Sequence, residues 1–138
     1  MERLESLKAH FTNEPFAKFL KATLDVLKYG YAVVSAPVSE NFLIVDGIVQ
    51  GGVITAVADF AGVYASMSTL SEGHTPAAQI NIHFLRPIGR DGIIQAVGQV
   101  ENESRSAILV AVNVYGSDQK RKAYSTMVFA VPKSSSHT

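Results

Sequence analysis

An apolar run from Gly51 to Leu70 limits this chain more than any other feature, because it contains a single charged residue, Asp59. Plotted as a helix, the run is apolar nearly all round, and a helix without a polar face belongs inside a structure. An unpaired buried charge costs several kcal/mol, so such a side chain usually has a partner or a task. The run therefore predicts a central helix and makes Asp59 the first candidate for a functional residue.

The same run has the length of a membrane span, about 20 residues. Its two early glycines, its hydroxyl side chains, the central Asp59 and the lack of a basic flanking cluster argue against that interpretation. The segment MERLESLKAHF has no apolar core typical of a signal peptide, and the chain has no cysteine. We expect a cytoplasmic protein that associates with neither a membrane nor, given its net charge of zero, nucleic acid. No acidic or histidine pair has metal-ligand spacing, so no metal is expected.

The rest of the chain predicts one α+β domain over residues 1–133, followed by a frayed polar tail over 134–138. Asn13-Glu14-Pro15 is typical of a helix start, and apolar residues at a 3.6 period extend that amphipathic helix towards Gly30. Two strands are expected in residues 31–45 and four more after the central helix. These four are Ala77–Leu85, Gly92–Glu101, Ser106–Tyr115 and Lys122–Val131.

Successive strands without helices between them favour an antiparallel sheet, here curled around the apolar helix. Such a sheet has an open edge, and a free strand edge is usually paired or blunted. We therefore expect two copies of the chain to pair through that edge.

The motif GIVQGGVITAVADFAG, followed by QINIHFLRP and long strands, resembles the hotdog-fold acyl-CoA thioesterases of the phenylacetate-degradation (PaaI) type. The resemblance covers about residues 16–131. It implies a hotdog fold, an antiparallel sheet wrapped around a central helix, and a homodimer or dimer of dimers. It also implies hydrolysis of an acyl-CoA to the free acid and coenzyme A, with CoA as part of the substrate and no separate cofactor.

Residue by residue, the resemblance places Gly51 on the glycine whose backbone N–H binds the thioester oxygen, and Asp59 on the catalytic carboxylate. Gln50 stands where the family usually has histidine, and Ile44 stands where many members have asparagine or glutamine. Gln50 could orient the acyl group or the carbonyl, or it could be a helix cap without substrate contact. Thr55 could bond the Asp59 carboxylate or, like most helical threonines, its own i−4 carbonyl.

Helix geometry adds a prediction about the two candidate catalytic residues. With a rise of about 1.5 Å per residue, Gly51 and Asp59 lie roughly 12 Å apart on one helix. Catalytic contacts need about 3 Å, so one thioester carbon cannot lie near both residues. If the two cooperate, Gly51 of one subunit works with Asp59 of another, and Asp59 acts as general base or as nucleophile.

Further residues are candidates for substrate and CoA contacts. Arg105 and Ser106 lie where the family tends to have a basic stretch near the CoA arm. The other candidates, beside the motif or in the apolar lining, are Gly52, Phe84 and Arg86. Phe60, Tyr64 and Met67 could also line an acyl tunnel, or simply belong to the core.

Three alternatives stay open on the sequence alone. Asp59 could be a structural carboxylate paired with Arg86 or His83. The chain could be a non-catalytic acyl-CoA or acyl-chain binder, which the Gln50 and Ile44 departures favour. It could also be a hotdog hydratase, although Gln50 is a poor substitute for the histidine that this chemistry needs. The acyl specificity is not indicated.

Overall fold

The computed structural model describes residues 2–133 and 135–137, and it has an α+β architecture. Three α-helices have the bounds α1 Glu2–Thr12, α2 Pro15–Leu20 and α3 Gly51–Met67. The strands are β1 Thr23–Lys28, β2 Tyr31–Pro37, β3 Ala77–Phe84, β4 Ile93–Glu103, β5 Ala107–Tyr115 and β6 Arg121–Ala130. They form one antiparallel sheet in the order β1-β2-β4-β5-β6-β3, which confirms the predicted sheet.

The predicted central helix is confirmed as α3, which packs across β2, β4 and β5. Its sheet-facing residues are fully or almost fully buried at helical spacing: Ile54, Val57, Ala58, Ala61 and Ala65. Helix and sheet approach closely at Gly98, where an added Cβ would lie 2.7 Å from the Ala61 carbonyl oxygen. This packing is the helix-in-sheet arrangement expected of a hotdog fold.

The predicted helix from Pro15 towards Gly30 is wrong beyond Leu20. Lys21 adopts the left-handed conformation, with φ 56°, and its N–H bonds the Lys18 carbonyl, so α2 ends there. The next residues form β1, which pairs antiparallel with β2. The run of apolar residues that follows the 3.6-residue period is too short to distinguish a helix from a strand, and pairing with the sheet decides for the strand.

Two further local expectations need correction. Residues 41–45 do not form a strand, since Glu40–Phe42 is a 3₁₀ turn whose cap, Ser39, accepts a hydrogen bond from the Asn41 N–H. In addition, α1 was not expected, and it buries Leu7 and Phe11 against the rest of the core.

Residues 134 and 138 of the predicted tail lie outside the described residues. Residues 135–137 are not frayed, because the Ser71 N–H donates to the Ser136 carbonyl at 2.7 Å and His137 forms a bridge with Leu70. Among the helices in the described residues, none has the length and apolar character needed to cross a membrane.

Candidate active site

The start of α3 presents one free backbone donor. Gln50 is the N-cap, and its side-chain oxygen accepts a hydrogen bond from the Gly52 N–H. A Cβ on Gly52 would lie 2.7 Å from that oxygen, so glycine leaves room for the cap. The Gly51 N–H bonds no acceptor in the described residues, and it lies at the positive end of the α3 dipole.

Four of the predicted site residues line one cavity of about 470 Å³ at this end of α3: Gln50, Gly51, Phe84 and Arg86. Its other walls are largely apolar and include Ile44. The Phe84 ring lies so close to the helix start that a Cβ on Gly51 would be 3.1 Å from it. The Arg86 guanidinium bonds the Arg121 carbonyl at 3.0 Å. The helix start is therefore a recess in which one N–H faces apolar surfaces.

Asp59 lies two turns further along α3 and has no ion pair or side-chain hydrogen bond to any described residue. Its Oδ1 atom is buried without a partner. Burial raises the pKa of this carboxyl group above its ordinary value. The expected alternatives do not form: Arg86 bonds elsewhere, and Thr55 donates to the Gly51 carbonyl at 2.9 Å. His83 also makes no ion pair with Asp59.

A second cavity, of about 330 Å³, is lined by Asp59 and continues past Phe60 and Val63 to Met67. It shares no lining residue with the cavity at Gly51. One chain therefore keeps the free N–H and the unpaired carboxylate in separate cavities, as the rise of the helix requires.

Sequence reasoning missed a group of polar residues in the Asp59 cavity. His10 Nδ1 lies 2.8 Å from the Tyr64 hydroxyl, which donates to Glu14 at 2.8 Å. The His10 ring stacks on that of His74 with centroids 4.3 Å apart. Burial and then the Glu14 contact raise the pKa of Tyr64, whereas burial and then nearby His10 lower the pKa of His74. The four-residue spacing of His10 and Glu14 was the available signal, but only the tertiary fold brings them to Asp59.

Arg105 and Ser106 lie in the exposed turn between β4 and β5, away from the cavity at Gly51. His137 connects this turn to the segment after α3, because it contacts the Ser104 carbonyl at 2.6 Å and bridges Leu70. The predicted CoA contacts of one chain thus fall at opposite ends of α3. Arg86 lies at the start and Arg105 near the end.

Residues 46–123, more than half of the chain, match the family model described as the thioesterase superfamily. The chain belongs to the thioesterase superfamily. A phenylacetic acid degradation protein PaaI from Thermus thermophilus, solved as a single-residue mutant, is 28% identical. That alignment has a TM-score of 0.80 and covers 86% of this chain and 100% of the other.

Two further comparisons agree with this membership. The Escherichia coli PaaI structure has a TM-score of 0.84 at 24% identity and 94% coverage of both chains, which supports the fold. A Thermoplasma volcanium protein named "Putative esterase TV1331" is 25% identical over 93% of this chain and 96% of its own length. The chain is therefore a PaaI-like hotdog member of the thioesterase superfamily.

Within the thioesterase superfamily, this site combines a glutamine N-cap with an apolar recess. The Gly52 N–H is occupied by Gln50, so a substrate contact through it stays a prediction. Phe60 and Met67 line the Asp59 cavity, Tyr64 is fully buried behind it, and Phe84 lines the other cavity.

Proposed function

We propose that the chain hydrolyses acyl-CoA thioesters to the free acid and CoA in a site shared by two copies. The observation that carries the proposal is the pair of unsatisfied groups on one helix, the Gly51 N–H and the Asp59 carboxylate, in separate cavities. Two antiparallel copies of α3 would bring the Gly51 of one copy to the Asp59 of the other.

In this site, the Gly51 N–H and the helix dipole stabilise the negative charge that develops on the thioester oxygen. Asp59 takes a proton from water while the water oxygen attacks the carbonyl carbon. The C–S bond then breaks, and the proton goes to the departing CoA sulfur. In the second route, Asp59 itself attacks the carbon and water hydrolyses the resulting anhydride. The raised pKa of Asp59 serves either route, because it increases both the basicity and the nucleophilicity of the carboxylate.

The surface around β3 supports association with a second copy. β3 is an edge strand whose residues are mostly exposed, and Ile80, Phe84 and Leu85 present apolar side chains there. Long apolar strand edges rarely stay free in proteins. Pairing of β3 with the same strand of a second copy would extend the sheet and lay the two α3 helices side by side. Arg86 of one copy and Arg105 of the other would then flank a shared site for the CoA phosphates.

Mixing two inactive variants tests the shared site. Asp59→Asn removes the carboxylate, and Gly51→Pro removes the N–H. We expect each variant alone to lose at least about 100-fold in kcat, as for loss of an oxyanion donor. Random mixing makes half of the dimers mixed, and each mixed dimer has one intact site of two. Refolding the variants together should therefore restore about a quarter of wild-type CoA release across a panel of acyl-CoAs.

Gly51→Ala is the matched control for Gly51→Pro, because both add a Cβ near Phe84 and only proline removes the N–H. Proline fits the first helical position, and Gln50 already has the extended conformation, ψ 135°, that precedes proline. Alanine should therefore keep more activity than proline. If the mixed sample stays inactive while each variant remains folded and associated, the shared site is wrong.

A non-catalytic acyl-CoA binder is the second candidate function. The observation that favours it is the composition of the recess: Gln50 is engaged in the helix cap, and Ile44 provides an apolar wall. Fewer polar groups are then free to position a water molecule. Thermal stabilisation by acyl-CoAs without CoA release would support this function, whereas efficient release would exclude it.

A further inference from the structure

The hydrogen-bonded chain in the Asp59 cavity has a defined direction. Tyr64 has one hydroxyl proton, and a carboxylate can only accept, so that proton lies in the bond to Glu14. The Tyr64 oxygen must therefore accept the proton of its second bond, which comes from His10 Nδ1 at 2.8 Å. Tyr64 is fully buried, so this arrangement is fixed from inside the fold.

The consequence lies at the other ring nitrogen of His10. A neutral imidazole carries one proton, and here it is on Nδ1, so Nε2 carries a lone pair. Nε2 bonds to none of the described residues, and His10 is exposed along the cavity that Asp59 also lines. Tyr64 and Glu14 thus set which ring nitrogen of this cavity-lining histidine accepts a hydrogen bond.

The charges of the cavity favour the acyl part of the substrate over its CoA part. Its described lining residues include the carboxylates of Asp59 and Glu14 and no lysine or arginine. The two carboxylates disfavour phosphates within this lining, and Phe60, Val63 and Met67 offer apolar walls for a carbon chain. Arg3, whose guanidinium bonds the Met67 and Gly73 carbonyls, lies outside the lining. An acyl group with its own carboxylate would also be disfavoured.

Resting on the proposed hydrolysis, we propose that the Asp59 cavity takes the acyl group and that His10 Nε2 selects neutral acyl groups carrying a distal hydrogen-bond donor. A hydroxyl group at the far end of the chain meets this requirement. His10 is then a specificity-determining binding residue, and Tyr64 and Glu14 are positioning residues that act through it.

Four CoA thioesters of one chain length test the selection: hexanoyl, 6-hydroxyhexanoyl, 6-fluorohexanoyl and adipoyl. Fluorine has nearly the size of a hydroxyl group and donates no hydrogen bond. We expect kcat/KM for the hydroxy substrate to exceed that for the fluoro substrate about 3- to 10-fold, the value of one hydrogen bond. The carboxylate of adipoyl-CoA would face those of Asp59 and Glu14, so kcat/KM for adipoyl-CoA should be about tenfold lower than for hexanoyl-CoA.

Variants of the hydrogen-bonded chain separate selection from general damage. His10→Leu removes the acceptor, and Tyr64→Phe removes the group that fixes the imidazole proton, so both should bring the hydroxy-to-fluoro ratio close to one. The ratio is the deciding measurement, since general damage to the fold would lower kcat/KM for both substrates by the same factor. Lys8→Leu is the control, because Lys8 is exposed on the same helix as His10 but outside the cavity lining, and it should keep the wild-type ratio.

A wild-type ratio near one, or an undiminished ratio in folded His10→Leu or Tyr64→Phe protein, overturns the selection. The outcome is distinguishable from failure of the proposed function. If wild-type protein releases no CoA from these four thioesters or from the wider acyl-CoA panel, hydrolysis is wrong. The same hydroxy-to-fluoro comparison is then made on dissociation constants by calorimetry, where a ratio near one overturns the selection and a 3- to 10-fold ratio lost in His10→Leu supports it.

Discussion

At the scale of single residues, Asp59 combines a cost to folding with a use in chemistry. Its Oδ1 atom is buried without a hydrogen bond, and burial raises the pKa of the carboxyl group. The folded state therefore binds a proton on Asp59 more tightly than the unfolded state does. The free energy of unfolding therefore falls as the pH rises from the ordinary carboxyl pKa of 3.8 through the raised pKa of Asp59. Above that window, the ionised carboxylate is a constant penalty.

Asp59→Asn should consequently stabilise the fold at neutral pH while removing activity. We expect a gain of about 0.5–2 kcal/mol in the free energy of unfolding at pH 7, shrinking towards zero below the ordinary carboxyl pKa. Urea unfolding at several pH values measures this difference. Asp46→Asn is the control, because Asp46 is exposed in a loop and its replacement should change little. A destabilised Asp59→Asn protein would contradict the interpretation.

The sequence predicted some of these residues and could not predict others. The glycine pair and Asp59 were recognisable because their eight-residue spacing lies within one helix. The sequence left open whether Gln50 contacts the substrate or caps the helix, and in the structure it caps the helix. His10 could not be assigned to the Asp59 cavity, because it is remote in sequence and only the docking of α1 brings it there. His74 reaches the cavity from the segment between α3 and β3, which carries no local signal for it.

At the scale of elements, the boundary between α2 and β1 depends on Lys21. This residue has a left-handed backbone, and the Ala22 N–H next to it donates to the Ala17 carbonyl at 2.8 Å. Glycine is the usual residue at such a helix end, because a side chain in this conformation costs about 1–2 kcal/mol. Since no glycine stands there, the residues carry no stop signal, and the expected helix was too long.

The same residue offers a test of the helix end. Lys21→Gly relieves the left-handed strain and loosens the unfolded chain, so we expect a net gain of roughly 0.5 kcal/mol in unfolding free energy. Lys18→Gly makes the same chemical change inside α2 and should lose about 1 kcal/mol. Chemical denaturation of both variants measures the sign of each change in unfolding free energy. Equal destabilisation would refute the role of Lys21 as the left-handed end of α2.

The other elements were predictable in proportion to their local signals. The four strands after α3 have clear β-branched runs between turn residues, and their observed bounds agree within two residues. In contrast, α1 mixes charged and apolar residues without a cap signal, and its stability comes from burying Leu7 and Phe11 against other elements. Tertiary burial of this kind has no local signature.

At the scale of the whole molecule, the described sheet has two edge strands, β1 and β3, and of these two only β3 is mostly exposed and presents large exposed apolar side chains. The outer side of α3 is also only half-buried. Both surfaces favour the pairing of two copies that the proposed site requires.

Ile80→Lys tests this pairing by placing a charge on the β3 edge. We expect it to shift the protein towards monomers in analytical ultracentrifugation and to reduce hydrolysis in parallel, since each site needs two copies. Ile93→Lys is the matched control, because Ile93 is 38% exposed against 37% for Ile80 but lies on the interior strand β4. A folded Ile80→Lys monomer with wild-type activity would contradict the shared site.

The strand order also has a consequence during synthesis. β3 pairs with β6 alone, through Ala77↔Phe129 to Phe84↔Ala123, so its partner is made about 40 to 50 residues later. At about 5–20 residues per second, a translating ribosome leaves β3 unpaired for roughly 2–10 s. Nascent chains on one messenger could meet through this strand before either is finished. Within the described sheet, the strand that would join two mature subunits is also one that has no partner at all until β6 is made.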